Sequence, residues 1–221
     1  TTLIGAFYAL VSYTWWSNVA HEIGQLSTAS LTGGLLEVAR GLSTALFFSI
    51  LAVITFTRKK PVYRERRIRG WILPVVVMIA TGLTGIGEPR YLPLPLAVVA
   101  TALVVGGTMF TLYSLRFLGR HFGVVSDVRG LVTSGPYAWV RHPLYAGEAI
   151  TLLGVAISIA SPLALGSFII GQSLQAWRAR TEEESLAAAF PEYREYAART
   201  PMLIPGLRLS RTPESAPASG D

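Results

Sequence analysis

Residues 146–177 read AGEAITLLGVAISIASPLALGSFIIGQSLQAW, a single apolar stretch interrupted by Ser161-Pro162. A transmembrane helix needs only roughly 20 mostly apolar residues, so this stretch is too long for one. Proline disfavours helix at the residue before it and has no amide hydrogen to donate. The stretch therefore predicts a helical hairpin, descending over 146–160 and returning over 162–177. Apolar runs at about 3–20, 35–56, 71–87 and 95–115 predict four spans ahead of it. The expected fold class is all-α: a polytopic membrane protein with four spans, a C-terminal helical hairpin and a cytoplasmic amphipathic helix.

Composition supports this reading. The chain has 221 residues, 51% hydrophobic and only 14% charged, with mean hydropathy +0.46, whereas soluble domains carry about 25% charged residues. There is no cysteine, which excludes disulfides, thiolate metal sites and cysteine nucleophiles. The net charge of +6 does not predict nucleic-acid binding, because the basic residues flank apolar segments and form no aromatic-interleaved groove. The first apolar stretch has no charged n-region and no small-residue cleavage site, and it carries Trp15, Trp16, His21 and Glu22. It reads as a retained span.

Lysine and arginine set the expected orientation. The run RKKPVYRERRIRG, Arg58–Gly70, holds seven basic residues and one acid. Arg116, Arg120, Arg129 and Arg141 precede the hairpin, and Arg178, Arg180, Arg194, Arg199, Arg208 and Arg211 follow it. Threading the spans places these clusters on one side and leaves Arg40 and Arg90 towards the other. The basic side, with both termini, is predicted to be cytoplasmic, and the Arg58–Arg69 run to contact anionic membrane lipids. The segment after Pro205, rich in Ser, Pro and Ala, is predicted to be disordered.

Two polar segments flank the hairpin. The first ends in GPYAWVRHPLYAGE, Gly135–Glu148. Ser134-Gly135-Pro136 is a turn signal, and Pro143 suits the first turn of a helix. Backbone amides at that helix start, beside Arg141 and His142, would face an anion. The second is AWRARTEEESLAAAFPEYREY, Ala176–Tyr196, predicted to continue as an amphipathic helix. Arg178 and Glu182 are four apart and share a face, with Glu183 slightly further round. Taken singly, either segment also reads as an interfacial anchor or a solvated helix face. Glu148 is harder to place that way, since a carboxylate one turn into an apolar helix is costly unless paired or facing a cavity. Glu37 and Arg40, three apart, read as a self-contained ion pair. The sequence holds no GxGxxG after a strand, no GxxxxGK and no HExxH, and His121 and His142 alone predict no metal site.

Together the two segments resemble the C-terminal signature of the isoprenylcysteine carboxyl methyltransferase family, which is itself similar to the membrane phospholipid methyltransferases. Gly135, Tyr137, Arg141-His142-Pro143, Tyr145 and Gly147 match its first block. Arg178, Glu182, Glu183, Leu186, Phe190, Tyr193, Tyr196 and Pro201 match its second. The resemblance covers about residues 120–205; with the apolar runs before it, the chain is expected to divide into N-terminal transmembrane helices over 1–115, a cofactor-binding and catalytic region over 116–205 and a disordered tail over 206–221.

The resemblance implies S-adenosylmethionine as cofactor and a lipophilic small molecule or lipid as methyl acceptor, with the carboxylate of an isoprenylcysteine-like substrate first, then a phospholipid amine or a thiol. It implies that Arg178 orients the acceptor and that Glu183 holds Arg178 or binds the acceptor, with Glu183 or Glu148 as base if the acceptor is an amine or thiol. The expected cofactor contacts are Val132, Gly135, Tyr137, Arg141, His142, Pro143, Tyr145, Gly147, Tyr193 and Tyr196. Among these, Tyr137, Tyr145 and Tyr196 would offer faces to adenine or the sulfonium, and Gly147 close approach to the helix backbone. A nicotinamide-dependent reductase of the sterol type and a non-catalytic lipid-binding protein are the alternatives.

Overall fold

The computed structural model describes residues 2–26, 31–57, 69–86, 92–121 and 130–206. Most of the Arg58–Gly70 run, Arg90, Arg129 and the segment beyond Gly206 lie outside these residues. Among the described residues the secondary structure is helical throughout: α1 (Thr2–Gly24), α2 (Leu31–Thr57), α3 (Arg69–Leu83), α4 (Leu94–Leu118), α5 (Pro143–Ile159), α6 (Pro162–Ala189) and α7 (Tyr193–Arg199). Short 3-10 turns occupy Gly119–His121 and Gly135–Ala138. Helices α2 and α4 are each long and apolar enough to cross a bilayer, while the apolar parts of α3 (Ile72–Leu83) and α5 are shorter.

Packing runs in the order α1, α2, α4, α5, α6, α3, so α5 is held between α4 and α6. The α5–α6 turn follows local rules. Ala160 takes the left-handed conformation, φ 49°, and its amide hydrogen returns to Ala156 O, closing α5. Ser161 then caps α6, its Oγ accepting from the Ala164 amide at 3.1 Å, with Pro162 at the first helical position.

The seam between α4 and α5 is built on missing side chains. A Cβ at Gly107 would lie 2.6 Å from Thr151 N, and one at Gly154 would lie 2.6 Å from Ala100 O. One at Gly147 would collide with Thr111 Oγ1 and come 3.0 Å from Thr111 N. Small residues let apolar helices approach where no water-driven force joins them. At Gly147 the space a side chain would take is filled by α4. A helical glycine reads the same in sequence whichever neighbour fills the space.

The segment after Trp177 also differs from expectation. No single amphipathic helix reaches Tyr196. Instead α6 continues to Ala189, Phe190 becomes extended at φ −133° and ψ 106°, and Pro191 precedes a separate α7. Proline disfavours helix at the residue before it, and the break turns α7 back towards the Gly135–His142 segment.

Tyr8, Leu51, Ala52 and Leu115 form a buried cluster, with Phe47, Phe48 and Leu144 packed on it. It joins the N-terminal half of α1, the C-terminal half of α2, the C-terminal end of α4 and the start of α5. At the other end, Arg40 bonds Glu37 and also donates through Nη1 to Ser158 Oγ at 2.8 Å. The expected self-contained pair therefore ties α2 to the far end of α5.

Candidate active site

Four short elements meet at the cytoplasm-facing end predicted from sequence: the end of α4, the 130–142 segment with its 3-10 turn, the start of α5, and the end of α6 with α7. They enclose a cavity of about 660 Å³, open mouth included. Val132, Tyr137, Arg141, His142, Tyr145, Arg178, Tyr193 and Tyr196 line it, together with Glu182 and an apolar rim of Leu118, Leu131, Leu144 and Leu186.

Two carboxylates organise the polar side. Glu183 accepts a forked pair from Arg141, Nε at 2.8 Å and Nη2 at 3.2 Å, and lies 3.0 Å from His142 Nε2. Burial alone would raise the Glu183 pKa. The hydrogen bond and charge of His142, joined by Arg141, outweigh it and hold the carboxyl below its ordinary range. Glu182 accepts from the Tyr145 hydroxyl at 2.7 Å and from Arg178 Nε at 3.1 Å. The Arg178 guanidinium also sits 5.4 Å from the Tyr145 ring centroid, and that ring stacks on His142 at 5.3 Å with 4° between planes.

The expected pairing of Glu183 with Arg178 is thus replaced: Glu182 holds Arg178, and Glu183 grips Arg141 and His142. Residues four apart lie one above the other on a helix, and a fifth position turns the side chain to a different neighbour. Glu182 was visible in the sequence as the partner of Arg178, by spacing, but its place in the cavity wall was not.

The C-terminal segment closes the wall. The Arg141 amide donates to Pro201 O at 2.9 Å and the His142 amide to Met202 O at 3.0 Å. These are two of the amides expected to cradle an anion at the start of α5. They are already satisfied by chain, because an extended segment after α7 runs alongside them. Arg141 Nη1 donates to Ala197 O at 2.7 Å, and the Tyr196 hydroxyl to Tyr137 O at 2.6 Å. Burial pushes the Tyr196 hydroxyl up to about 12, against the lowering influence of Arg141.

Gly135, Pro143 and Gly147 shape the backbone around the cavity without lining it. Gly135 has φ +61°, and a Cβ there would strike the Phe117 ring, so glycine is required on both counts. Glu148 lies one layer deeper, accepting from Gln175 Nε2 at 2.7 Å. Tyr137 is an open polar group in the cavity wall: its hydroxyl is buried and meets no partner among the described residues, and burial keeps it protonated. No group of His, Asp and Glu that could hold a metal ion occurs among the described residues.

Residues 96–193 match the family model described as phospholipid methyltransferase. The cobalt-zinc-cadmium resistance protein CzcN of Cupriavidus metallidurans is 42% identical over 86 residues, 37% of this chain and 38% of that protein. Human protein-S-isoprenylcysteine O-methyltransferase is 33% identical over 124 residues, 51% of this chain and 42% of that protein. Phosphatidyl-N-methylethanolamine N-methyltransferase of Neurospora crassa is 32% identical over 76 residues, 34% of this chain and 35% of that protein. The chain spans about two-fifths of the length of the first curated relatives it matches.

Proposed function

On the premise that residues 96–193 belong to the phospholipid methyltransferase family, we propose that this protein is an integral membrane S-adenosylmethionine-dependent methyltransferase acting on a lipophilic acceptor. The observation that carries the reading is the meeting of the two signature blocks at one cavity, through Arg141 and His142 with Glu183 and through Tyr145 with Glu182 and Arg178.

The cavity residues fit the cofactor's chemistry. Tyr137 brings a buried hydroxyl with no partner, suited to a ribose or adenine edge. Tyr193 and Tyr196 bring aromatic faces, Glu182 an acceptor for hydroxyl or ammonium groups, and Val132 the loop opposite them. S-adenosylmethionine, when bound, supplies a methyl group made electrophilic by its sulfonium. The chain's own part is then positioning and exclusion of water. Arg178, fixed by Glu182, orients the acceptor's head. Glu183 keeps Arg141 and His142 in place, and those two hold the start of α5 against the C-terminal segment.

The acceptor would enter between helices from the bilayer, and the cofactor from the basic, cytoplasmic side of a four-span, hairpin-bearing topology. Relatives matched over this region are named for O-methyl and N-methyl transfer, so an isoprenylcysteine-type carboxylate and an amine are both compatible with it.

Calorimetry in detergent with S-adenosylmethionine and, separately, NADPH tests the proposal. Binding of the first alone is expected. Binding of NADPH alone would establish the reductase, and binding of neither would leave a non-catalytic protein. In Arg178→Ala, methyl transfer should fall on the order of 100-fold with cofactor binding retained. Undiminished transfer would remove Arg178 from the mechanism.

A further inference from the structure

Glu148 is a charged side chain that the proposed mechanism leaves without a task. It stands one turn beyond Tyr145 on α5, and Gln175 stands one turn before Arg178 on α6, so each pair shares a helix face. The two faces meet. The Tyr145 hydroxyl donates to Glu182, and the Arg178 guanidinium sits 5.4 Å from the Tyr145 ring centroid. One layer deeper, Gln175 Nε2 donates to Glu148 Oε2 at 2.7 Å. The cavity wall includes Arg178, Tyr145 and Glu182 but neither Glu148 nor Gln175. What Glu148 contributes to the cavity therefore reaches it through Arg178.

The surroundings of Glu148 suit a countercharge. Its carboxylate is near enough to Arg178 for its charge to stabilise the guanidinium, as that of Glu182 does. Arg141 has its own carboxylate in Glu183. Gln175 is 3% exposed, turns its amide nitrogen to Glu148 and leaves its own buried oxygen without a donor. A charged carboxylate only accepts hydrogen bonds, and it requires that end of the amide. Glu182, towards the end of α6, takes the donor on Arg178 Nε, while Glu148 lies on the deeper side. A guanidinium is a rigid planar fork. Carboxylates on its shallow and deep sides fix its tilt, where one alone fixes a point of contact.

We propose that Glu148, tethered by Gln175, is a positioning residue that braces Arg178 from the deeper side, so that the guanidinium meets the acceptor's head in a single orientation. Both residues stand outside the two signature blocks. The bracing also moderates Arg178, because a negative head bound there is repelled by Glu148. Removing the Glu148 charge should then have two opposite effects: the transfer step slows, and an anion at Arg178 is held no more weakly than before. Loss of packing alone would not produce that split. The assignment rests on the methyltransferase reading, in which Arg178 orients the acceptor.

The experiment compares the full-length wild type, Glu148→Gln and Gln175→Leu in nanodiscs. Phenylglyoxal modification of Arg178 and of Arg141 is followed by mass spectrometry. S-adenosylmethionine affinity is measured separately, and kcat and KM are determined with labelled cofactor on a farnesylated cysteine carboxylate and on phosphatidylethanolamine. Phenylglyoxal attacks the neutral guanidine, and loss of a nearby countercharge raises that fraction about tenfold per pKa unit. In Glu148→Gln, modification of Arg178 should therefore quicken about tenfold while that of Arg141, held by Glu183, stays as in the wild type. Methyl transfer should fall about 10–100-fold in kcat, as expected of a misplaced orienting group, with no rise in KM for the carboxylate and cofactor affinity unchanged. Gln175→Leu keeps the charge but loses its tether, and should move Arg178 reactivity and kcat in the same directions by less.

Unchanged Arg178 reactivity in Glu148→Gln overturns the proposal. Equal quickening at Arg141 also overturns it, because that marks a general loosening of the site. A raised KM with kcat intact would make Glu148 a substrate contact, and lost cofactor affinity would assign it to the cofactor; either result overturns the bracing role and leaves the methyltransferase reading standing. A wild-type chain that binds no S-adenosylmethionine overturns that reading, and this assignment with it.

Discussion

Glu183 joins two segments that the sequence keeps far apart: its own helix, and Arg141-His142 some 42 residues earlier. Removing its charge leaves Arg141, 15% exposed in its side chain, with two weakened charge-assisted bonds. Glu183→Gln should therefore cost about 1.5–3 kcal/mol, a typical worth for hydrogen bonds to charged groups, seen as a lower unfolding temperature in detergent. The sign of its pH dependence follows from its lowered pKa. The contribution is fully present above the ordinary carboxyl value of 4.5 and is lost as pH falls through the lower folded value. An acid titration of stability should show this loss in the wild type and not in Glu183→Gln. At the same scale, Arg178 with Glu182 was legible from a spacing of four. The partner of Glu183 was not, because it depends on the register in which α6 returns past the start of α5, and no local pattern encodes that.

Between elements, the glycine seam sets how α5 stands. Gly147 and Gly154 are two turns apart and both abut α4, so α5 reaches the cavity at a depth fixed by backbone contact. Gly154→Val would place a branched side chain where even a Cβ is 2.6 Å from Ala100 O. Overpacking of this kind costs about 1–3 kcal/mol. The expected result is a lower unfolding temperature together with weakened cofactor binding, because the site residues Arg141–Tyr145 lie at the start of the same helix. Native stability in that variant would show that the seam is looser than its geometry implies. The break between α5 and α6 at Ser161-Pro162 was readable because proline chemistry is local, and so was the helix start at Pro143. The break at Phe190-Pro191 follows from the same chemistry, but an amphipathic pattern running through it gave the impression of one helix. The bonds from Arg141 and His142 to Pro201 and Met202 left no trace in the sequence, since main-chain pairing places no demand on side-chain identity there.

At the scale of the whole molecule, charge and packing agree on which end is which. The cavity lies where α4 ends and α5 begins, and Arg116, Arg141, Arg178, Arg180, Arg194 and Arg199 gather near that end by sequence and helix order. At the opposite end Val19 of α1 packs on Gly41 of α2, and Arg40 reaches Ser158 near the close of α5. Lysine and arginine are retained on the cytoplasmic side during insertion, which predicts a cytoplasmic cavity and a far side carrying the end of α1. The absence of cysteine from the chain makes this directly measurable, since any introduced thiol is the sole one. Glu195 on α7 and Glu22 on α1 are both exposed and belong to opposite ends. In intact cells a membrane-impermeant maleimide should label Glu22→Cys. It should reach Glu195→Cys only after permeabilisation. The reverse pattern would invert the topology and place the cavity away from the compartment that supplies S-adenosylmethionine, removing the route by which the proposed cofactor enters. Labelling of both in intact cells would mean that the end of α1 and α7 share a side, which four spans and a hairpin cannot produce.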